Sequence, residues 1–232
     1  ALLRDKLDNF IYDQKLDDLE FVDETVEIIE GHIPITYNGK VHSIIKFFQN
    51  QGKVSIQNWL NRTNRFKKII LPILEEENVP PELFYLAMIE SGLNPNAYSY
   101  AHASGVWQFI SSTGKMYGLD RSYHIDERLD FEKSTRAAAT YLKDLYAEFD
   151  DWYLAFAAYN SGSGRVRKAI RRHGTRDYWK LYSLPKETRN YVPNIMAAIF
   201  ISKNPEKYGF TPNPLPDLEW NVKELDKSVS VK

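Results

Sequence analysis

The chain of 232 residues contains no cysteine. That excludes disulfides, thiol nucleophiles and cysteine metal sites, but it leaves the compartment open, since an exported protein can have none. Long hydrophobic runs are missing too. The longest strongly apolar stretch, Ile195 to Ile201, is far short of the roughly 20 residues that span a bilayer. The first residues lack the charged-then-apolar pattern of a secretory leader, so the chain as given is expected to be mature or trimmed. Charge of one sign is not in excess: 30 basic and 31 acidic residues give a net charge of -1 and are well mixed. With no basic run or face, no nucleic-acid partner is expected.

Two ligand classes are excluded by spacing. The histidines, His32, His42, His102, His124 and His173, are scattered without paired ligand spacing, so no metal and no cofactor is expected. The stretch "SSTGK" at 111–115 has no glycine five residues before Gly114 and Met after Lys115, so it is not a phosphate loop.

What the chain does contain is helical periodicity, with 43% hydrophobic residues, enough for a real core. From Ser55 to about Glu77, Trp59, Phe66, Ile69, Ile70, Ile73 and Leu74 recur at helical spacing, with a bend expected at Pro72. Pro80 and Pro81 should open a second helix that stops at Gly92. Asp130 is expected to cap a helix striped with Ala138, Tyr141, Leu142, Leu145 and Phe149, and Asp151 to cap one through "WYLAFAAYN". "SGSG" at 161–164 separates that helix from "RVRKAIRRHG", a basic segment whose default reading is a solvated face. "LPKETRNYVPNIMAAIFISK" supplies a last long helix. A helix is expected up to about Glu30, then a turn at "GHIPITYNGK", and no pair of alternating strands is evident. The tail from Asn204, rich in Pro and Asn, reads as a wrap-around arm or linker.

The informative stretch is "LAMIESG" at 86–92. Leu83, Leu86 and Ala87 lie seven, four and three residues before Glu90, so the carboxyl group shares the face that should enter the core. Shielding disfavours the charged form, and an acid raised to about 6 can donate a proton at neutral pH, as glycosidic cleavage requires. A buried salt bridge or a polar contact at the helix end would explain the same spacing. The loop that follows, "SGLNPNAYSYAHASGVWQF", gathers amides, hydroxyls, small residues and aromatics suited to holding a sugar.

Several ordered segments carry a family resemblance. Glu90-Ser91, "GVWQF" at 105–109 and "AYN" at 158–160 resemble the signature motifs of the lytic transglycosylases of bacterial cell walls, whose fold is related to goose-type lysozyme. The usual "GLMQ" appears as Gly105-Val106-Trp107-Gln108, so Trp107 stands where the family commonly has Met. "DERLDFEKSTRAAATYL" and "LPKETRNYVPNI", with Tyr191, resemble the membrane-bound type D branch. The resemblance covers roughly residues 65–203.

It implies an all-α, lysozyme-like catalytic domain over 65–203; outside that span the residue pattern alone gives a helical N-terminal extension over 1–64 and an arm over 204–232. The resemblance further implies cleavage of the β-1,4 bond between N-acetylmuramic acid and N-acetylglucosamine in peptidoglycan. Glu90 would be the catalytic acid and then base, with Ser99 near the substrate N-acetyl group. Gln108 and Asn160 would shape the sugar subsites, Trp107 would border one of them, and Tyr159 and Tyr191 would line the site. The partner would be peptidoglycan glycan strands, the setting the bacterial periplasm or envelope, and the working form a monomer. A membrane anchor or wall-binding repeats would belong to a longer parent chain.

Most glycosidases use two carboxylates. Asp120, Asp126, Glu127 and Asp130 are the nearest acids downstream of Glu90, and they read as turn and cap residues with Arg128 as an ion partner. A lone acid suits internal attack by the muramic C6 hydroxyl, which closes a 1,6-anhydro ring. A lysozyme-type hydrolase and a wall-binding module without chemistry remain the competing readings.

Overall fold

The computed structural model describes residues 26–28 and 31–218. Helix ends are set by local chemistry. Helix α1 (Gly39–Gln49) starts where the Asn38 side chain accepts from the N–H groups of Lys40 and Val41. Helix α2 (Lys53–Glu76) runs unbroken through Pro72, and Ile56, Leu60, Phe66, Ile70 and Leu74 are its buried row. Helix α3 (Leu83–Ser91) follows the Pro80-Pro81 turn and ends at Gly92, whose φ of 62° is left-handed and whose N–H returns to the Met88 carbonyl. A Cβ at Gly92 would lie 2.2 Å from Trp59 Nε1, so only glycine lets α3 close against α2 there.

A short helix α4 (Ser111–Met116) follows the loop after α3. Asp130 caps α5 (Phe131–Phe149) by accepting from Lys133 N, and Asp151 caps α6 (Trp152–Ser161) by accepting from Leu154 N. Gly162, with φ 86°, separates α6 from α7 (Ser163–His173). Helix α8 (Lys186–Lys203) packs against α1, α3 and α6, and its residues from Asn190 to Ile199 are all buried. It is the axis of the core.

One feature of the fold differs from the expectation. Val26–Ile28, placed in a helix by sequence pattern, is a strand (β1) that pairs antiparallel with β2 (Ile35–Tyr37), Ile28 opposite Ile35. Three-residue strands are too short to display alternation, and the turn between them contains Gly31 and Pro34. The remainder of the helix expected before Glu30 lies outside the described residues. Ile33, Ile35 and the α1 residues Val41, Ile44, Phe47 and Phe48 are buried in the same apolar cluster as α3 and α8.

After α8, Phe210 is buried and the following residues lie along α2. Gln57 donates to the Thr211 carbonyl, Asn61 accepts from Asn213 N, Arg65 donates to the Pro216 carbonyl and Lys68 pairs with Asp217. Among the described residues no helix is long and apolar enough to cross a membrane.

Candidate active site

Helix α3 is apolar on every side, and each residue from Leu83 to Ile89 is buried. Helical spacing therefore does not single out a core-facing stripe that includes Glu90. What distinguishes Glu90 is its place at the end of the helix, where the chain leaves the core and the side chain becomes half-buried. The expectation of a shielded acid is met in part, and for a different reason from the one spacing suggested.

Tyr191, 1% exposed in α8, donates its hydroxyl to Glu90 Oε1. The two residues are 101 positions apart, and the packing of α8 on α3 brings them together. Tyr159 on α6 donates to the Trp107 carbonyl at 2.8 Å. Burial, then the negative charge of Glu90, then Tyr141 hold the Tyr159 phenol well above its ordinary pKa, so it stays protonated as a donor. Glu90, Tyr191 and Tyr159 thus form one cluster where α3, α6 and α8 meet.

The end of α6 connects to the same helix. Asn160 Oδ1 accepts from Thr188 Oγ1 at 2.7 Å, and its Nδ2 donates to Glu187 Oε1 at 3.0 Å. Thr188 and Glu187 were not picked out by sequence reasoning. Their signal was present: they precede Tyr191 by three and four residues, the spacing that puts side chains on one helix face.

The loop over 94–109 is held by backbone bonds and by one buried cation. Gly105 N donates to the Ala97 carbonyl, Ser104 N to the Phe109 carbonyl and Ser99 N to the Ala103 carbonyl. Ser99 Oγ accepts from Ala103 N, and Gln108 Nε2 donates to the carbonyls of Gly105 and Ala97 at 2.8 and 3.2 Å. Both side chains are half-buried and shape the loop from within. Arg128, 1% exposed, grips Asp126 with Nε and Nη2 and donates Nη1 to the carbonyls of His102 and Phe109. The Arg128 contacts hold the Asp126 carboxyl below its usual pKa. At Gly105, φ 79°, a Cβ would lie 1.9 Å from the Arg128 carbonyl oxygen, so the loop can dock only on a glycine.

Trp107 is a correction. Its side chain is 0% exposed and its indole N–H donates to Thr135 Oγ1 at 2.8 Å, so the ring fills the core under the loop and does not border a subsite. Its contribution to the site is the backbone carbonyl that receives Tyr159. The acids after the loop are engaged elsewhere: Asp126 with Arg128, Glu127 with Lys133 and the Asp120 N–H, and Asp130 as the α5 cap.

Residues 68–182 match the family described as Transglycosylase SLT domain. The chain is 45% identical over 141 residues to membrane-bound lytic murein transglycosylase D of Escherichia coli, covering 59% of this chain and 31% of that protein. It is 32% identical over 120 residues to the soluble lytic murein transglycosylase of the same species, covering 48% of this chain and 19% of the relative. The chain thus spans about a third or less of these relatives. The solved structure of the 70 kDa soluble lytic transglycosylase from E. coli superposes with a TM-score of 0.50 at 24% identity, over 73% of this chain and 31% of that one, a likeness of fold. By its match over residues 68–182, and with 45% identity over 141 residues to the type D protein, this segment of the chain is a transglycosylase SLT domain.

Proposed function

We propose that the chain cleaves the β-1,4 bond between N-acetylmuramic acid and N-acetylglucosamine in peptidoglycan and leaves 1,6-anhydromuramic ends, with Glu90 as acid and then base. Glu90 protonates the leaving glycosidic oxygen while the substrate N-acetyl carbonyl stabilises the electron-poor carbon. The resulting carboxylate takes the proton of the muramic C6 hydroxyl, which attacks the same carbon and closes the ring. Holding nucleophile and electrophile in one molecule gives the proximity advantage without a positioned water.

The observation that carries this reading is the Tyr191 hydroxyl on Glu90 Oε1, with Tyr159 beside it. A phenol donor fixes the carboxyl orientation and stabilises it once the proton has left. The engagement of Asp126, Glu127 and Asp130 elsewhere supports a single acid. Ser99 and Gln108 serve by shaping the sugar-binding loop, and Asn160 by its link to α8. The natural setting we infer is the bacterial periplasm or cell envelope, the substrate glycan strands of the wall, and the catalytic unit residues 65–203.

Glu90→Gln is expected to lower turnover on purified sacculi by about 10²–10⁴-fold while circular dichroism and sedimentation with sacculi stay unchanged. Near-normal muropeptide release by that variant would remove Glu90 from the chemistry, and an inactive wild type that still binds sacculi would favour the wall-binding module. One observation favours the hydrolase as a second reading: Glu187, bonded to Asn160, is another carboxylate on the face of α8 that carries Tyr191. Mass spectrometry decides between them, because a hydrolase leaves reducing ends that carry water and a transglycosylase leaves anhydro ends.

A further inference from the structure

Helix α8 carries Tyr191 and has Pro193 in its interior. A proline has no N–H to give to the carbonyl four residues earlier, and its ring crowds that carbonyl. Here the carbonyl belongs to Arg189, two residues before the phenol that touches Glu90. A buried carbonyl left without a donor is costly and lets the turn distort.

Lys40 fills that position. It is the second residue of α1, outside the stretch that matches the SLT family, and its Nζ donates to the Arg189 carbonyl at 3.1 Å. The contact spans 149 positions. The neighbouring carbonyl, that of Thr188, accepts the Tyr178 hydroxyl at 2.7 Å. Two side chains from outside α8 therefore complete the turn whose own side chains reach Asn160 through Thr188 and Glu90 through Tyr191. The cost of putting an ammonium there is visible. Burial, with the Arg189 charge beside it, lowers the Lys40 pKa to about 8, so the group is held against its preference for water.

We propose that Lys40 is a positioning residue for the catalytic carboxyl: it supplies the donor that Pro193 removes from α8 and so holds the turn that aims Tyr191 at Glu90. The inference rests on Glu90 being the acid of the reaction. It gives α1 a task in turnover, since that helix lends a side chain to the backbone behind the site.

The test uses the full chain and soluble glycan strands as substrate. Lys40→Met is expected to lower kcat about tenfold with KM within twofold, and Lys40→Arg, which keeps donors at similar reach, to recover most of the rate. In a Tyr191→Phe background the same Lys40→Met change should have no further effect on kcat, because the group it positions is gone. Unchanged kcat in Lys40→Met, or a tenfold loss that persists undiminished beside Tyr191→Phe, overturns the proposal. Should Lys40→Met fold poorly, Pro193→Ala restores the missing N–H, and Lys40→Met in that background should match Pro193→Ala alone within twofold. A full loss there also overturns it. Glu90→Gln run in parallel separates the two failures: if it stays active, the assignment of the acid is wrong, and if it is inactive while Lys40→Met is normal, only the positioning role is wrong.

Discussion

The two walls of the site rest on different balances of packing and directional bonds. On one side, α3 is apolar and packed from every direction, α8 is buried from Asn190 to Ile199, and Glu90 comes out where α3 leaves the core to meet the buried Tyr191 hydroxyl. On the other, the loop over 94–109 buries Val106, Trp107 and Phe109 near its end and is otherwise held by backbone bonds, Gln108 and the buried Arg128 guanidinium. The helices that carry the acid are placed mainly by apolar packing, which tolerates conservative exchange, with the Lys40 and Tyr191 bonds setting the final aim. The loop is placed by directional bonds to Arg128, which tolerate almost none.

The largest expected effect breaks the loop wall alone. Arg128→Ala removes the buried cation beside Asp126 and a donor to the His102 and Phe109 carbonyls and should cost about 3–5 kcal/mol, measured by urea unfolding, with hydrogen exchange rising across 97–109 and unchanged in α8. If protection is lost equally in α8, the walls are not independent. Next comes the helix wall. The folded pKa of Lys40, about 8, lies below its ordinary 10.5, so between those values the folded state binds fewer protons than the unfolded one and stability from this group rises with pH. Relative to Lys40→Met, the wild type should gain about 3 kcal/mol across pH 8 to 10.5, read by denaturant titration at each pH. A smaller change is expected where the walls meet. Trp107→Phe removes the bond to Thr135 and part of a core ring and should cost about 1–2 kcal/mol, with product composition on sacculi unchanged. A shift in product size there would put the ring back at a subsite.

The contrast also explains what could be read in advance. Capping chemistry is local: Asp130 and Asp151 start α5 and α6 with their side chains, and Gly92 stops α3 through its backbone freedom. The Glu90–Tyr191 contact joins positions 101 apart, and spacing within α3 carries no trace of it; only the ordered motifs pointed there. Helical periodicity overstated the case for Glu90, because a helix buried all round has no face to read. Trp107 was misplaced because its motif position suggests the site, whereas the turn at Gly105 and Gln108, both at positive φ, directs the indole inward. The hairpin of β1 and β2 escaped notice because pairing, and not alternation, defines strands so short.

The Arg128 staple has a consequence for how such a site can diverge. Its bonds are concentrated at the base of the loop, whereas Tyr98 and Tyr100 at the tip are 62% and 90% exposed, with Tyr98 hydrogen-bonded to His102. The base is thus a fixed socket and the tip an exchangeable head. Relatives or engineered libraries can sample new side chains at 98 and 100 with little threat to folding, and changes in glycan preference should accumulate there first.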